Sequence, residues 1–210
     1  MAEAAFLELP YPEAGLVDED SLGEQNLALA AGLPERPLVL GGCCCAHIGA
    51  VEGLATRYER LAVVWFDAHG DLNTPETSPS GNAWGMPLRT LIDSGTVDPD
   101  DVALLGARNL DPPEEEFIAA SGLHTREDGL EEALEGADAV YVAFDADVLD
   151  PDEEIVSFMP EPAGLTVAES VAILGRIAGA RKIAGAGLTG LAPAPANSEP
   201  LARLVGALDF

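Results

Sequence analysis

The stretch Leu61-Ala62-Val63-Val64-Trp65-Phe66-Asp67-Ala68-His69-Gly70-Asp71 joins an unbroken apolar run to an acidic, histidine-bearing loop. The run Leu61–Phe66 reads as a strand buried on both faces, as in a parallel sheet covered by helices. Asp67, His69 and Asp71 follow at intervals of two. In extended backbone that period sends all three side chains to one side. Two carboxylates and an imidazole aimed at one place form a metal-ligand cluster. The plain alternative is a polar loop with a capping Asp.

Downstream, Ala139–Phe144 is a second buried strand, and Asp145-Ala146-Asp147 follows with Asp150-Pro151 beyond. Like charges this close are costly without a cation. Two carboxylate pairs from strand ends, with an imidazole, could hold two divalent ions on shared carboxylates. Paired ions suit lowering the pKa of a bound water. Oxygen-rich ligation with one or two nitrogens favours a hard or borderline ion such as Mn²⁺.

Further outward, short apolar runs alternate with helical-length segments. Leu38–Leu40, Asp101–Leu105 and Lys182–Leu188 read as strands. Ala46–Arg57, Gly85–Ser94, Glu114–Ala120, Leu130–Glu135, Val167–Gly179 and Leu201–Ala207 read as helices. Val171, Ile173, Leu174 and Ile177 form the apolar face of the clearest one. This alternation predicts one α/β domain over 1–210, with a short N-terminal region at 1–36, built on a mostly parallel sheet. Ligands of such folds sit at the carboxyl ends of the strands. The chemically rich segments fall there, after Leu40, Phe66, Leu105 and Phe144.

The two Asp motifs carry a resemblance. Asp67-Ala-His69-Gly-Asp71-Leu-Asn73-Thr-Pro75, continuing to Ser80-Gly81-Asn82, closely resembles the signature of the arginase, agmatinase and formimidoylglutamase (ureohydrolase) family. Phe144-Asp145-Ala-Asp147-Val-Leu-Asp150-Pro151 resembles its second metal motif. Met159-Pro160 through Gly164-Leu165-Thr166 resembles the loop that follows, and Gly41-Gly42 the first metal loop. The resemblance implies a three-layer α/β/α fold. It also implies hydrolysis of a C–N bond in a guanidino or amidine-like group by a metal-bridging hydroxide, and a homo-oligomer. Carried over, Asp67 and Asp145 bridge two Mn²⁺ ions, Asp71 completes one site, and His69 with Asp147 the other. Asp71 and Asp145 are the catalytic candidates. Asn73, Ser80 and Asn82 match positions that hold the amino-acid end of a substrate. Asp111, with Glu114 nearby, matches the receiver of an α-amino group; by itself Asp111 also reads as a turn Asp before Pro112.

The chain departs from that family in three places. Cys43 and Cys44 stand where the family usually has Asp-His. Cys44 is a candidate ligand whose thiolate would favour Zn²⁺ or Fe²⁺; alternatively it is an inert buried residue and a single ion binds. His47, three residues on, is a possible substitute ligand, or a surface or packing histidine. His124 reads as a surface residue. Trp84 replaces an imidazole that follows Ser-Gly-Asn, and Gly190 occupies the place of the carboxylate that grips a guanidinium. A glycine offers no carboxylate fork, which argues against arginine itself as substrate.

Three readings follow. The first is a metal-dependent C–N hydrolase with an altered substrate. The second is a catalytically altered or inactive metal-binding member with a regulatory or binding role. The third is a zinc or redox sensor centred on Cys43–Cys45, disfavoured because no second cysteine cluster exists among only three cysteines.

Composition narrows the partners. With 48% hydrophobic and 22% charged residues, the 210-residue chain can bury a core. Its formal charge of −27 argues against nucleic acid and anionic membranes as partners and leaves a small-molecule substrate. A halophilic host or a GC-rich genome would each explain that acidity. No apolar run spans a bilayer, Met1–Pro10 carries no basic-then-apolar leader, and the cysteines make no disulfide framework; the expected location is the cytoplasm.

Overall fold

The computed structural model describes residues 13–153 and 155–210. The stretch Met1–Pro10, read above as lacking a leader, lies outside the described residues. Five strands, β1 (Leu38–Leu40), β2 (Leu61–Phe66), β3 (Val102–Leu105), β4 (Ala139–Asp145) and β5 (Ile183–Thr189), form one sheet in the order β1-β5-β4-β2-β3. Every neighbouring pair is parallel. The helices are α1 (Leu22–Gly32), α2 (Ala46–Ala55), α3 (Pro87–Asp93), α4 (Pro112–Ala120), α5 (Leu130–Leu134), α6 (Val167–Ala180) and α7 (Ser198–Gly206).

Alternate residues of each strand feed opposite faces. Ala62, Val64 and Phe66 of β2 join Val140, Val142 and Phe144 of β4 in a core closed by α5, α6 and α7. Val63 and Trp65, with Tyr141 and Ala143, pack on the other face against α2, α3 and α4. Helix, sheet and helix make the expected three-layer α/β/α arrangement. Trp65, Phe66, Tyr141 and Phe144 are all buried. That double burial is why these strands read as continuous apolar runs rather than alternating ones.

β2 and β4 are central neighbours. From β2 the chain crosses by α3 to β3 on one side; from β4 it crosses by α6 to β5 on the other. The two crossovers leave in opposite directions over opposite faces. The carboxyl ends of β2 and β4 are therefore the topological switch point, where ligands of such folds bind. Asp67 and Asp71 follow one of these ends, and Asp145 and Asp147 sit at the other.

Some boundaries differ from expectation. β5 runs from Ile183 to Thr189, shifted one residue beyond Lys182–Leu188. α4 starts at Pro112 because Asp111 and Glu114 close a capping box there. The helix α1 was not expected: its apolar residues surround the axis, leaving Leu22 and Leu27 exposed. It is held by packing on α2 and by the buried Asn26 Oδ1, which accepts from Gly49 N–H at 3.1 Å. Among the described residues, no helix is long and apolar enough to cross a membrane.

Candidate metal centre

Three loops deliver the ligands. Asp67, Asp71, Asp145 and Asp147 are all buried, and His69 is partly exposed. Cys44 comes from the turn between β1 and α2 and is also buried. Donor atoms of Cys44, Asp67 and Asp71 lie within 4.8 Å of one another, as do those of Asp67, His69 and Asp147. Asp67 belongs to both groups. Asp145 ties them: its Oδ2 accepts from the Cys44 thiol at 2.9 Å, and its Oδ1 accepts from the Asp147 N–H at 3.0 Å.

The three side chains of Asp67-Ala-His69-Gly-Asp71 do converge, but not by the extended alternation read from their spacing. The strand ends at Phe66 and bends follow. Asp67 Oδ1 accepts from the His69 N–H at 2.7 Å, which folds the backbone back on itself. Asp71 has φ 54°, a left-handed conformation that costs a non-glycine residue energy. The Asp71 carbonyl is anchored by the Arg89 N–H at 3.0 Å. Side chains of other residues complete the turn: Glu114 Oε1 accepts from Leu72 N–H and Oε2 from Asp111 N–H, each at 2.9 Å, fastening the loop after β2 to the one after β3.

The electrostatics suit a cation. Burial raises the pKa of Asp67, and neighbouring Asp147 adds to the rise. Burial, with Asp67 and Asp145 close by, pushes Asp71 well above the usual carboxylate range. Asp145 is pushed up to about 8, first by burial and then by Asp67 and Asp147. The hydrogen bonds from His69 Nδ1 to Asp147 and Asp67 hold that imidazole's pKa up at about 11. Burial and the same carboxylates keep the Cys44 thiol protonated. Asp71 Oδ2 is buried and has no hydrogen-bond partner among the described residues. An orphaned carboxylate oxygen among buried acids, a thiol and an imidazole is a donor set that could hold a divalent cation.

The four substrate-binding candidates fall into two pairs. Asn73 is buried and its Nδ2 donates to Asp111 Oδ2 at 2.8 Å. Ser80 Oγ accepts from the Asn82 N–H at 3.2 Å on an exposed turn. No hydrogen bond joins the two pairs among the described residues. Trp84, beside that turn, is 46% exposed. Gly190 is in the left-handed region at φ 68°, and a Cβ there would lie 2.0 Å from Asp145 Oδ1. No side chain fits at 190 without displacing Asp145.

His47 is neither a surface residue nor a member of either ligand group. It is buried beneath β4 and β5, between Tyr141 and Thr189. Two residues escaped the sequence reading. Thr189 is the last residue of β5, and its hydroxyl reaches Asp145 Oδ2 at 2.9 Å. Arg108 clamps three loops through five backbone carbonyls: Gly106, Asp147, Val148, Glu161 and Pro162. A lone arginine in a strand-end loop of so acidic a chain was the available signal.

Comparison with known proteins bears on the family and the fold. Residues 21–208 match the model of the arginase family. The arginase of Bacillus caldovelox is 35% identical over 198 residues, which cover 79% of this chain and 66% of that protein. The arginase of Bacillus subtilis is 38% identical over 159 residues, covering 64% of this chain and 54% of that protein. These matches span about half to two-thirds of the curated relatives. A crystal structure of the B. subtilis arginase superposes with a TM-score of 0.84 at 30% identity, covering 90% of this chain and 78% of that one.

Proposed function

The chain belongs to the arginase family, and from that premise we propose that it is a metal-dependent hydrolase of a C–N bond in a linear amidine or guanidino compound. The observation that carries this reading is the pair of overlapping ligand groups with the orphaned Asp71 Oδ2 between buried acids. Cys44, Asp67 and Asp71 would hold one ion, and Asp67, His69 and Asp147 a second, with Asp145 in contact with both groups. The oxygen-rich set suits Mn²⁺, and the Cys44 thiol draws the site toward Zn²⁺ or Fe²⁺. Ions held by these residues would supply a nucleophile at neutral pH by acidifying a water.

The protein's own residues bind and orient. The Asp111 carboxylate, fixed by Asn73 and by the α4 capping box, offers an acceptor for the ammonium of an amino-acid-like substrate. Ser80 and Asn82 present polar groups from an exposed turn for its carboxylate. Asp71 Oδ2, which has no hydrogen-bond partner among the described residues, is the oxygen available to take a proton at the reacting centre. With Gly190 closed to any side chain, no carboxylate grips a guanidinium from that position. The substrate is therefore a formimino or guanidino compound other than arginine. A surface of net charge −27 repels nucleic acid and anionic lipid and leaves a small molecule as the partner.

The test is an assay of the full chain reconstituted with Mn²⁺, and separately with Zn²⁺ and Fe²⁺, against arginine, agmatine, formimidoylglutamate and other guanidino and formimino acids. Release of urea, ammonia or formamide from a compound other than arginine is expected. Metal binding without turnover of any of them would leave an inactive metal-binding member of the family. Faster turnover of arginine than of every other compound would refute the altered substrate.

A further inference from the structure

Behind Asp145 lies a buried polar chain that the hydrolytic site does not use directly. Tyr141 Oη meets His47 Nδ1 at 2.9 Å, and His47 Nε2 meets Thr189 Oγ1 at 3.2 Å. Thr189 Oγ1 donates to Asp145 Oδ2 at 2.9 Å and lies 3.2 Å from the Cys44 sulfur. His47, Tyr141 and Thr189 are each fully buried. Room for the imidazole comes from Gly187 of β5, where a Cβ would lie 2.6 Å from the His47 ring and 2.4 Å from Tyr141 Oη. Trp65 packs edge-on against the same ring, with centroids 5.0 Å apart.

The direction of every proton in this chain follows from the last member. A ligating carboxylate only accepts hydrogen bonds. Thr189 has one hydroxyl proton and gives it to Asp145. Toward His47 the hydroxyl oxygen then accepts, so His47 carries its proton on Nε2. Its Nδ1 is left as an acceptor and takes the Tyr141 O–H. Burial holds the imidazole neutral, with its pKa lowered to about 3. Each buried donor and acceptor in the chain is thereby satisfied in one orientation only.

We propose that His47 and Thr189 are positioning residues that lock the Asp145 carboxylate in the orientation needed to hold metal. The proposal rests on the metal-dependent reading of the site. Outer partners of this kind set the orientation of ligating groups, and their loss weakens metal binding roughly 10–100-fold.

Calorimetric titration of the full chain with Mn²⁺ alone tests it. Thr189→Val keeps the side-chain shape and removes the hydroxyl; Thr189→Ser keeps the hydroxyl. The expected result is Mn²⁺ binding weakened roughly 10–100-fold by Thr189→Val and restored close to the wild-type value by Thr189→Ser. A second readout is taken on the Zn²⁺-loaded chain, in which a ligating Asp145 is ionised. The chain has three histidines, so ¹⁵N ring signals of His47 can be assigned against His47→Gln. They are expected to show a proton on Nε2 and none on Nδ1. Thr189→Val binding Mn²⁺ as tightly as wild type, or a His47 protonated on Nδ1, would overturn the positioning role while leaving the metal site intact. A wild-type chain that binds no Mn²⁺ would sink the metal-dependent reading and this proposal with it, an outcome recognisable because the unmutated protein itself fails.

Discussion

Asp71 concentrates the cost of the site in one residue. It is buried, sits in left-handed backbone and leaves Oδ2 without a partner. A cation removes the repulsion among these acids; without one, the cluster works against folding. Asp71→Asn should therefore stabilise the metal-free chain by on the order of 1 kcal/mol, about 2–4 °C in melting temperature. It should also abolish most of the rise that Mn²⁺ gives the wild type. Thermal melts with and without Mn²⁺ check both signs. Gly190 makes the opposite prediction: Gly190→Ala forces φ 68° on an alanine and drives its Cβ into Asp145. A loss of at least about 1 kcal/mol is expected, together with weaker Mn²⁺ binding. A Gly190→Ala chain as stable and as metal-competent as wild type would mean that Asp145 does not need this space. The candidate ligands were legible as a cluster because acidic residues and an imidazole at strand ends have little else to do there. Their convergence was read for the wrong reason, since bends and the left-handed Asp71 replace an extended strand. Thr189, His47 and Tyr141 were not legible as a set: they lie 94 and 142 positions apart from His47 along the chain, and only the fold joins them.

At the scale of elements, double burial explains both what was easy and what was not. β2 and β4 announced themselves because both faces are covered and their sequences are continuously apolar. α1 gave no such signal, because its burial depends on packing against α2 and not on an apolar stripe of its own. α6, by contrast, has both an apolar face and a capping box in which the Thr166 hydroxyl accepts from Glu169 N–H at 3.1 Å. Thr166→Ala should cost about 1 kcal/mol in denaturant unfolding and leave metal binding unchanged, because the hydroxyl bonds Glu169 within the first turn of α6. Arg108 acts between elements. Its guanidinium bonds carbonyls of the loops after β3 and β4 and of the 160–162 segment. Arg108→Ala should lose about 1–2 kcal/mol, since five part-buried or exposed carbonyls lose a charged donor at once. It should also loosen metal binding through the Asp147 loop. Unfolding and titration of the same variant separate the two effects.

For the molecule as a whole, the charge is the dominant property. At −27 over 210 residues the folded surface repels itself, and added salt screens that repulsion. The melting temperature should rise as NaCl is raised from low ionic strength, a trend that a near-neutral protein would not share. The fold needed none of this charge to be legible, because strand and helix alternation settled it. The substrate was less legible, since a missing carboxylate at Gly190 tells what is not gripped and leaves open what is. The paired candidate ligand groups lie at the switch point between β2 and β4. Metal content of the full chain after saturation with Mn²⁺ and removal of excess tests most directly whether they hold metal, by elemental mass spectrometry against protein concentration. The two overlapping groups predict two ions per chain, falling to one or fewer in Asp67→Ala, which removes the ligand they share. A wild-type chain that retains no ion, or an Asp67→Ala chain that retains both, would contradict it.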